Sequence, residues 1–176
     1  MVEAARLRSD GFKRVDLAER NGDLNTGFDK MEMMLKARVN TDPDESIFHQ
    51  GEVKLGYARE VSNETYLGLT DADFAVDPFR RYVASARDRM EWNRFLAEVS
   101  YGLAVGTDFR MRVTGYRHEF SRAWFKVNSF EGAQPLGDIL AEPTGGQRAI
   151  FYGVLSGARD SEQETLLIGT NDRTFV

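Results

Sequence analysis

The sequence predicts an all-β fold, an antiparallel meander of about five or six long strands with long loops between some of them. Three observations predict it. Long segments alternate apolar and polar residues with period two, which places one residue type on each face of a strand. The clear strands reach about ten residues, longer than the ~5–6 usual in soluble proteins. Short and long connections alternate along the chain, and compact soluble domains rarely hold several loops beyond about 12–15 residues.

The clearest run is Phe28 to Asn40, with Met31, Met33, Leu35, Ala37 and Val39 on one face and Lys30, Glu32, Met34, Lys36 and Arg38 on the other. Asn40-Thr41-Asp42-Pro43-Asp44-Glu45 supplies a turn. A second run then alternates Ile47, His49, Gly51, Val53, Leu55 and Tyr57 with Phe48, Gln50, Glu52, Lys54, Gly56 and Ala58, completing a hairpin. A third strand is expected from about Met90 to Leu103, its apolar face carrying Phe95, Ala97, Val99, Tyr101 and Leu103. Ala104 to Asp108 turns the chain, and the return strand sets Phe109, Met111, Val113 and Gly115 against Arg110, Arg112 and Thr114. Weaker candidates are Val2 to Phe12 and Thr165 to Val176. The remaining stretches, 14–27, 60–89 and 124–164, read as long loops.

Composition narrows the function. Apolar residues make up 41% of the 176 and charged residues 29%, so the chain can fold around a core. A net charge of −5, with 23 basic residues scattered among acids, argues against a nucleic-acid surface. With no cysteine, thiolate metal sites, disulfides and Cys nucleophiles are excluded. His49 and His118 are the only histidines and show no metal-ligand spacing. No nucleophile–base pair or phosphate loop is visible, so the chain is expected not to be an enzyme and to carry no cofactor or metal.

Alternation alone does not say whether the apolar face meets a protein core or lipid. Strand length and loop asymmetry favour a partial transmembrane β-barrel with long extracellular loops. The lipid-facing residues are then Met31, Met33, Leu35, Val39, Val53, Leu55, Tyr57, Phe95, Val99, Tyr101, Met111 and Val113. Lys30, Glu32, Lys36, Arg38, Glu52 and Lys54 would form a mixed-charge ladder in a hydrated lumen. The alternative is a soluble antiparallel β-domain that buries the same apolar face in a closed core and binds a small ligand or a protein partner.

Several segments resemble the barrel region of TonB-dependent outer-membrane receptors, particularly those for ferric dicitrate and siderophores. The resemblance lies in Ser9–Arg14, Thr26–Lys30 and Leu35–Arg38, and most specifically in Glu64–Phe74 (ETYLGLTDADF) followed by Asp77–Tyr82. Tyr116–Phe120, Trp124–Lys126 and Leu167–Arg173 extend it over nearly the whole chain. The resemblance implies an outer-membrane location and TonB-dependent uptake of an iron chelate. It implies as partners outer-membrane lipid, the chelate itself and the TonB energy-coupling complex, the last reached through a plug domain. An export signal, TonB-contact segment, plug and most of a barrel of about 22 strands are missing, so residues 1–176 are expected to be a partial barrel domain. Arg80, Arg81 and Tyr82, in the long loop 60–89, are the candidate ligand contacts, because arginine forks suit carboxylate-rich chelates. Equally, these arginines can pair with Asp71, Asp73 and Asp77 and shape the loop.

Overall fold

The structure, a computed structural model, describes residues 1–16, 24–159, 166–170 and 173–175. Period-two segments become strands where expected: β1 (Val2–Ser9), β3 (Phe28–Asn40), β4 (Ile47–Ser62), β6 (Arg89–Val105) and β7 (Phe109–Phe130). They form an antiparallel meander in the order β1-β3-β4-β6-β7, extended at the β7 edge by β8 (Leu166–Thr170) and β9 (Arg173–Phe175). The all-β, antiparallel expectation therefore holds, as an open sheet.

Four boundaries differ from the sequence reading. β4 runs four residues beyond Ala58, β6 covers Arg89–Val105, β7 continues fifteen residues past Gly115 to Phe130, and β1 stops at Ser9. β7 was underestimated because its alternation changes character near Tyr116. Beyond that point Phe120 packs on Trp92 of β6, and Trp124 and Phe130 pack on Tyr66 and Phe151 from the long connections, so the simple apolar–polar code fails.

The long connections are not structureless either. Between β1 and β3 lies β2 (Arg14–Val15), which pairs in parallel with β5 (Arg80–Arg81) as a separate two-stranded ladder. The β4–β6 connection also holds α1 (Asp71–Val76) and a 3₁₀ turn at Val83–Ser85. The β7–β8 connection holds α2 (Leu136–Ala141) and α3 (Gly146–Ser156), the latter closed by Gly157 at φ 81°. Gly157 takes the left-handed conformation that ends helices at low steric cost.

Chain direction places both short turns, 41–46 and 106–108, at one end of the sheet. All three long connections consequently emerge at the other end. There they gather into a small cap whose core contains Leu67, Tyr82, Val127, Phe130, Ile139, Phe151, Val154 and Leu155. The rings of Phe130 and Phe151 stack at 4.5 Å. The hydrophobic core of the described chain thus sits in the loops and the adjoining end of β7, while the middle of the sheet has none.

Candidate functional site

Cross-strand register assembles the surface from which function is read. Leu35 pairs with Leu55 and Leu55 with Ala97, Met33 with Tyr57 and Tyr57 with Phe95, Val53 with Val99, and Tyr101 with Val113. All twelve residues assigned to the apolar face lie on one side of the sheet in this register. Eleven of them are exposed, Val39 at 73% and Val99 at 58% among the most open, and Met31 is half-buried. No described segment covers this face.

The apolar band has defined limits. On β4 it runs from Ile47 to Tyr57 and on β6 from Phe95 to Val105, eleven positions in each strand. At ~3.4 Å per residue that is about 34 Å along a strand. A strand tilt of ~35–45° projects it to about 24–28 Å, against the ~25 Å apolar band of outer-membrane barrels. Toward the capped end the same face turns polar at the row of Arg6, Arg59, Asn93 and Ser121, in which Met31 alone is apolar. Near the short turns His49 meets the Tyr101 hydroxyl at 2.6 Å, so this histidine sits beside an aromatic ring.

The opposite face is charged and internally paired. Glu52, 8% exposed, accepts from Arg38, directly opposite in register, at 2.7 Å and from Lys36 at 3.0 Å. Lys30 pairs with Glu32 at 2.9 Å, and the Trp92 indole donates to Glu60 at 3.1 Å. This is the expected mixed-charge ladder, with Lys54 opposite Lys36 and Glu98. Two hollows open on the face. One, of about 580 Å³ near the short turns, is lined by Phe48, Gln50, Gly102, Arg110 and Arg112 among others. The other, of about 450 Å³ near mid-strand, has Gly56 and Ala58 at its floor and Glu32, Lys54 and Arg94 around it.

The loop residues proposed as ligand contacts are engaged inside the cap. The Tyr82 ring is completely buried, and its hydroxyl donates to Asp73 Oδ2 at 2.5 Å. Arg80 bridges Asp16 at 2.9 Å and Asp73 at 2.7 Å. Arg81 donates to the carbonyl oxygens of Pro78 and Arg80. Arg14 binds Asp77 at 2.8 Å, which ties β2 to the loop. Tyr82 therefore offers no surface to a ligand, and the two arginines act first as loop fasteners.

Asp73, expected from the sequence as a partner for these arginines, does pair with Arg80, and it is also a hub whose tyrosine contacts sequence inspection missed. Its carboxylate accepts from Tyr82, from Tyr152 at 2.5 Å and from Thr70 at 3.0 Å, besides Arg80. Burial pushes this carboxyl upward, but the hydrogen bonds from Tyr152, Tyr82 and Thr70 and the charge of Arg80 outweigh it and hold it below the usual carboxylate range. Burial first, and then Asp73 and Tyr82 beside it, raise the Tyr152 phenol. Thr70 also caps α1 by accepting from the Asp73 N–H at 3.1 Å, and the Thr70-x-x-Asp73 spacing was the sequence signal for that cap. A second fastener is Asp88, raised by burial although the backbone N–H groups of Tyr66 and Val127 donate to it.

Among the described residues no three His, Asp or Glu side chains converge as a metal site. Compared with protein-family models, curated proteins and solved structures, the chain finds no match.

Proposed function

We propose that this chain is part of the barrel wall of a TonB-dependent receptor in the outer membrane, taking up an iron chelate such as ferric citrate or a siderophore. The observation that carries the reading is the uncovered apolar band. It is one bilayer core in height, lies opposite a charged and paired face, and is bounded by short turns at one end and a loop cap at the other. In water such a band would need a second protein layer, because isolated apolar residues are common on surfaces but a contiguous sheet of them is not. Lipid supplies that layer, with the short turns on the periplasmic side and the cap outside. The charged face and its hollows then line a wet lumen closed by a plug, through which the TonB complex acts. The choice of an iron chelate rests on the resemblance of Glu64–Phe74 and Asp77–Tyr82 to the receptor family. No described helix is long and apolar enough to cross a membrane, and strands are the spanning elements in this reading.

The absence of cysteine makes the test clean. Single cysteines at Val53, Val99 and Val113, and at Lys54 and Thr114 on the other face, are spin-labelled in bilayers. The first set should be open to oxygen and closed to an aqueous nickel chelate, the second set the reverse. Equal access of the nickel chelate to both sets would remove the membrane reading. Val99→Arg, near the middle of the band, should cost about 2–4 kcal/mol in bilayers and almost nothing if the face meets water.

A further inference from the structure

Where the apolar band ends toward the cap, the same face carries a surplus of arginine. Arg6 on β1 and Arg59 on β4 flank Met31 in one cross-strand row, and Arg8 on β1 lies opposite Asp29 in the next. Directly opposite residues of an antiparallel pair share a face, so these polar side chains all stand on the apolar side of the sheet. Asp29 accepts from Arg6 at 3.0 and 2.5 Å, and the charges of Arg8 and Arg59 act on the same carboxylate. Arg8 also lies 3.7 Å from Asp10, a loose and exposed pair. With both acids counted, the patch keeps a net positive charge.

Arg59 shows that this surplus belongs to the sheet itself. Strands β3 and β6 flank it on both sides, and its register partners there, Met31 and Asn93, are uncharged. The acid one row further along β6, Glu91, is bound by Arg89 at 2.5 Å. Among the described residues the exposed Arg59 guanidinium makes no hydrogen bond or ion pair. A polar hollow of about 230 Å³ adjoins the patch, lined by Arg8, Asn25, Asp29 and Asn63 among others. Asn63 donates there to Asn25 Oδ1 at 2.7 Å, a pair of amides with donors to spare.

We infer that Arg59, with Arg6 and Arg8, binds the phosphate of a membrane-lipid headgroup at the capped limit of the apolar band. Guanidinium forks match phosphate oxygens in pairs, and arginine lays its stem on apolar surface while its head reaches the polar level. Height selects a lipid over a free anion. The Arg6–Arg59 row is one step beyond Tyr57 and Phe95, where the band stops, so it stands at headgroup level when the band is in a bilayer. The inference rests on the membrane reading and adds to it a specific lipid contact.

The test uses the whole chain in phosphatidylcholine vesicles, with spin-labelled phosphatidic acid or spin-labelled phosphatidylcholine as the probe. Cysteine labels at Val53 and Val99 report separately whether the band lies in the bilayer. With the band shielded, the parent should hold phosphatidic acid in preference to phosphatidylcholine. Arg59→Gln should lower that preference about fivefold, the worth of one arginine near an anionic lipid surface, and Arg8→Gln should lower it further. Arg110→Gln with Arg112→Gln, a loss of charge on the opposite face, should leave it unchanged. No preference in the parent, or one that survives Arg59→Gln with Arg8→Gln while the band stays shielded, overturns the inference and spares the membrane reading. Loss of the preference to inorganic phosphate at constant ionic strength overturns it in favour of a free anion. A band open to the aqueous nickel chelate overturns both.

Discussion

Replacing Asp73 by alanine should open the cap while leaving the sheet in place. The substitution removes the acceptor of four donors: the hydroxyls of Tyr82, Tyr152 and Thr70, and the Arg80 guanidinium. Hydrogen bonds to a charged group are worth about 1.5–3 kcal/mol each, but they do not sum here. Arg80 keeps Asp16, Thr70 keeps its cap on the backbone, and Tyr152 is only partly enclosed. The dominant cost is Tyr82, fully buried, whose hydroxyl still accepts from the Thr70 N–H at 3.0 Å but is left only Thr70 Oγ1 at 3.5 Å to donate to. Leaving one buried donor without an acceptor costs about 1–3 kcal/mol. Exchange of the α3 amides from Phe151 to Leu155 should then quicken by about fivefold to about a hundredfold, while β4 and β6 amides stay protected. The pH dependence has a definite sign. Because Asp73 is held below its unfolded value, its contribution is complete above about pH 4 and is lost as pH falls through the folded value. Opening of the cap in acid should thus be prominent in the parent and weak in Asp73→Ala. Unchanged α3 exchange in the variant would refute the argument that this carboxylate holds the cap.

Other consequences are equally direct. Tyr66 is pushed up to about 12 by burial and by the charges of Glu64 and Asp88, so its phenolate absorbance should appear about two pH units late. With the folded value raised, Tyr66 contributes fully below the unfolded value near 10, and that contribution fades as pH rises toward 12. Asp88→Ala strands the N–H groups of Tyr66 and Val127 and should cost about 2–4 kcal/mol, read by fluorescence of Trp124, which packs on Tyr66. Gly27→Ala would place a Cβ 1.7 Å from the Ser9 carbonyl oxygen. Overpacking against backbone should cost at least about 3 kcal/mol and selectively expose the β1 amides to exchange.

How much was legible follows from the range of the forces involved. β3 and β4 could be read almost residue by residue, because each side chain there faces one of two uniform environments. The apolar face was legible for the same reason. The cap was not, since its parts come together from 14–16, 64–88 and 127–157, and no local period reports such contacts. Some local signals did exist: Ile150, Phe151, Val154 and Leu155 fall at helical spacing in α3, and Thr70 and Asp73 at capping spacing. They were obscured because Pro143, Gly145 and Gly146 nearby suggest a loop. The Arg80-Arg81-Tyr82 run looked like ligand chemistry because charged and aromatic residues in a loop carry the same signature whether they bind a ligand or one another.

By itself the sequence determined the strands, their alternation, the two short turns and the sorting of apolar from charged residues. Each is set by neighbours within a few positions, where backbone sterics and period two act. Only the tertiary structure decided that no described segment covers the apolar face, that the core of the described residues lies in the loops, and that Tyr82 is buried against Asp73. These depend on which distant segments meet, and burial and pairing belong to the assembled chain rather than to any stretch of it.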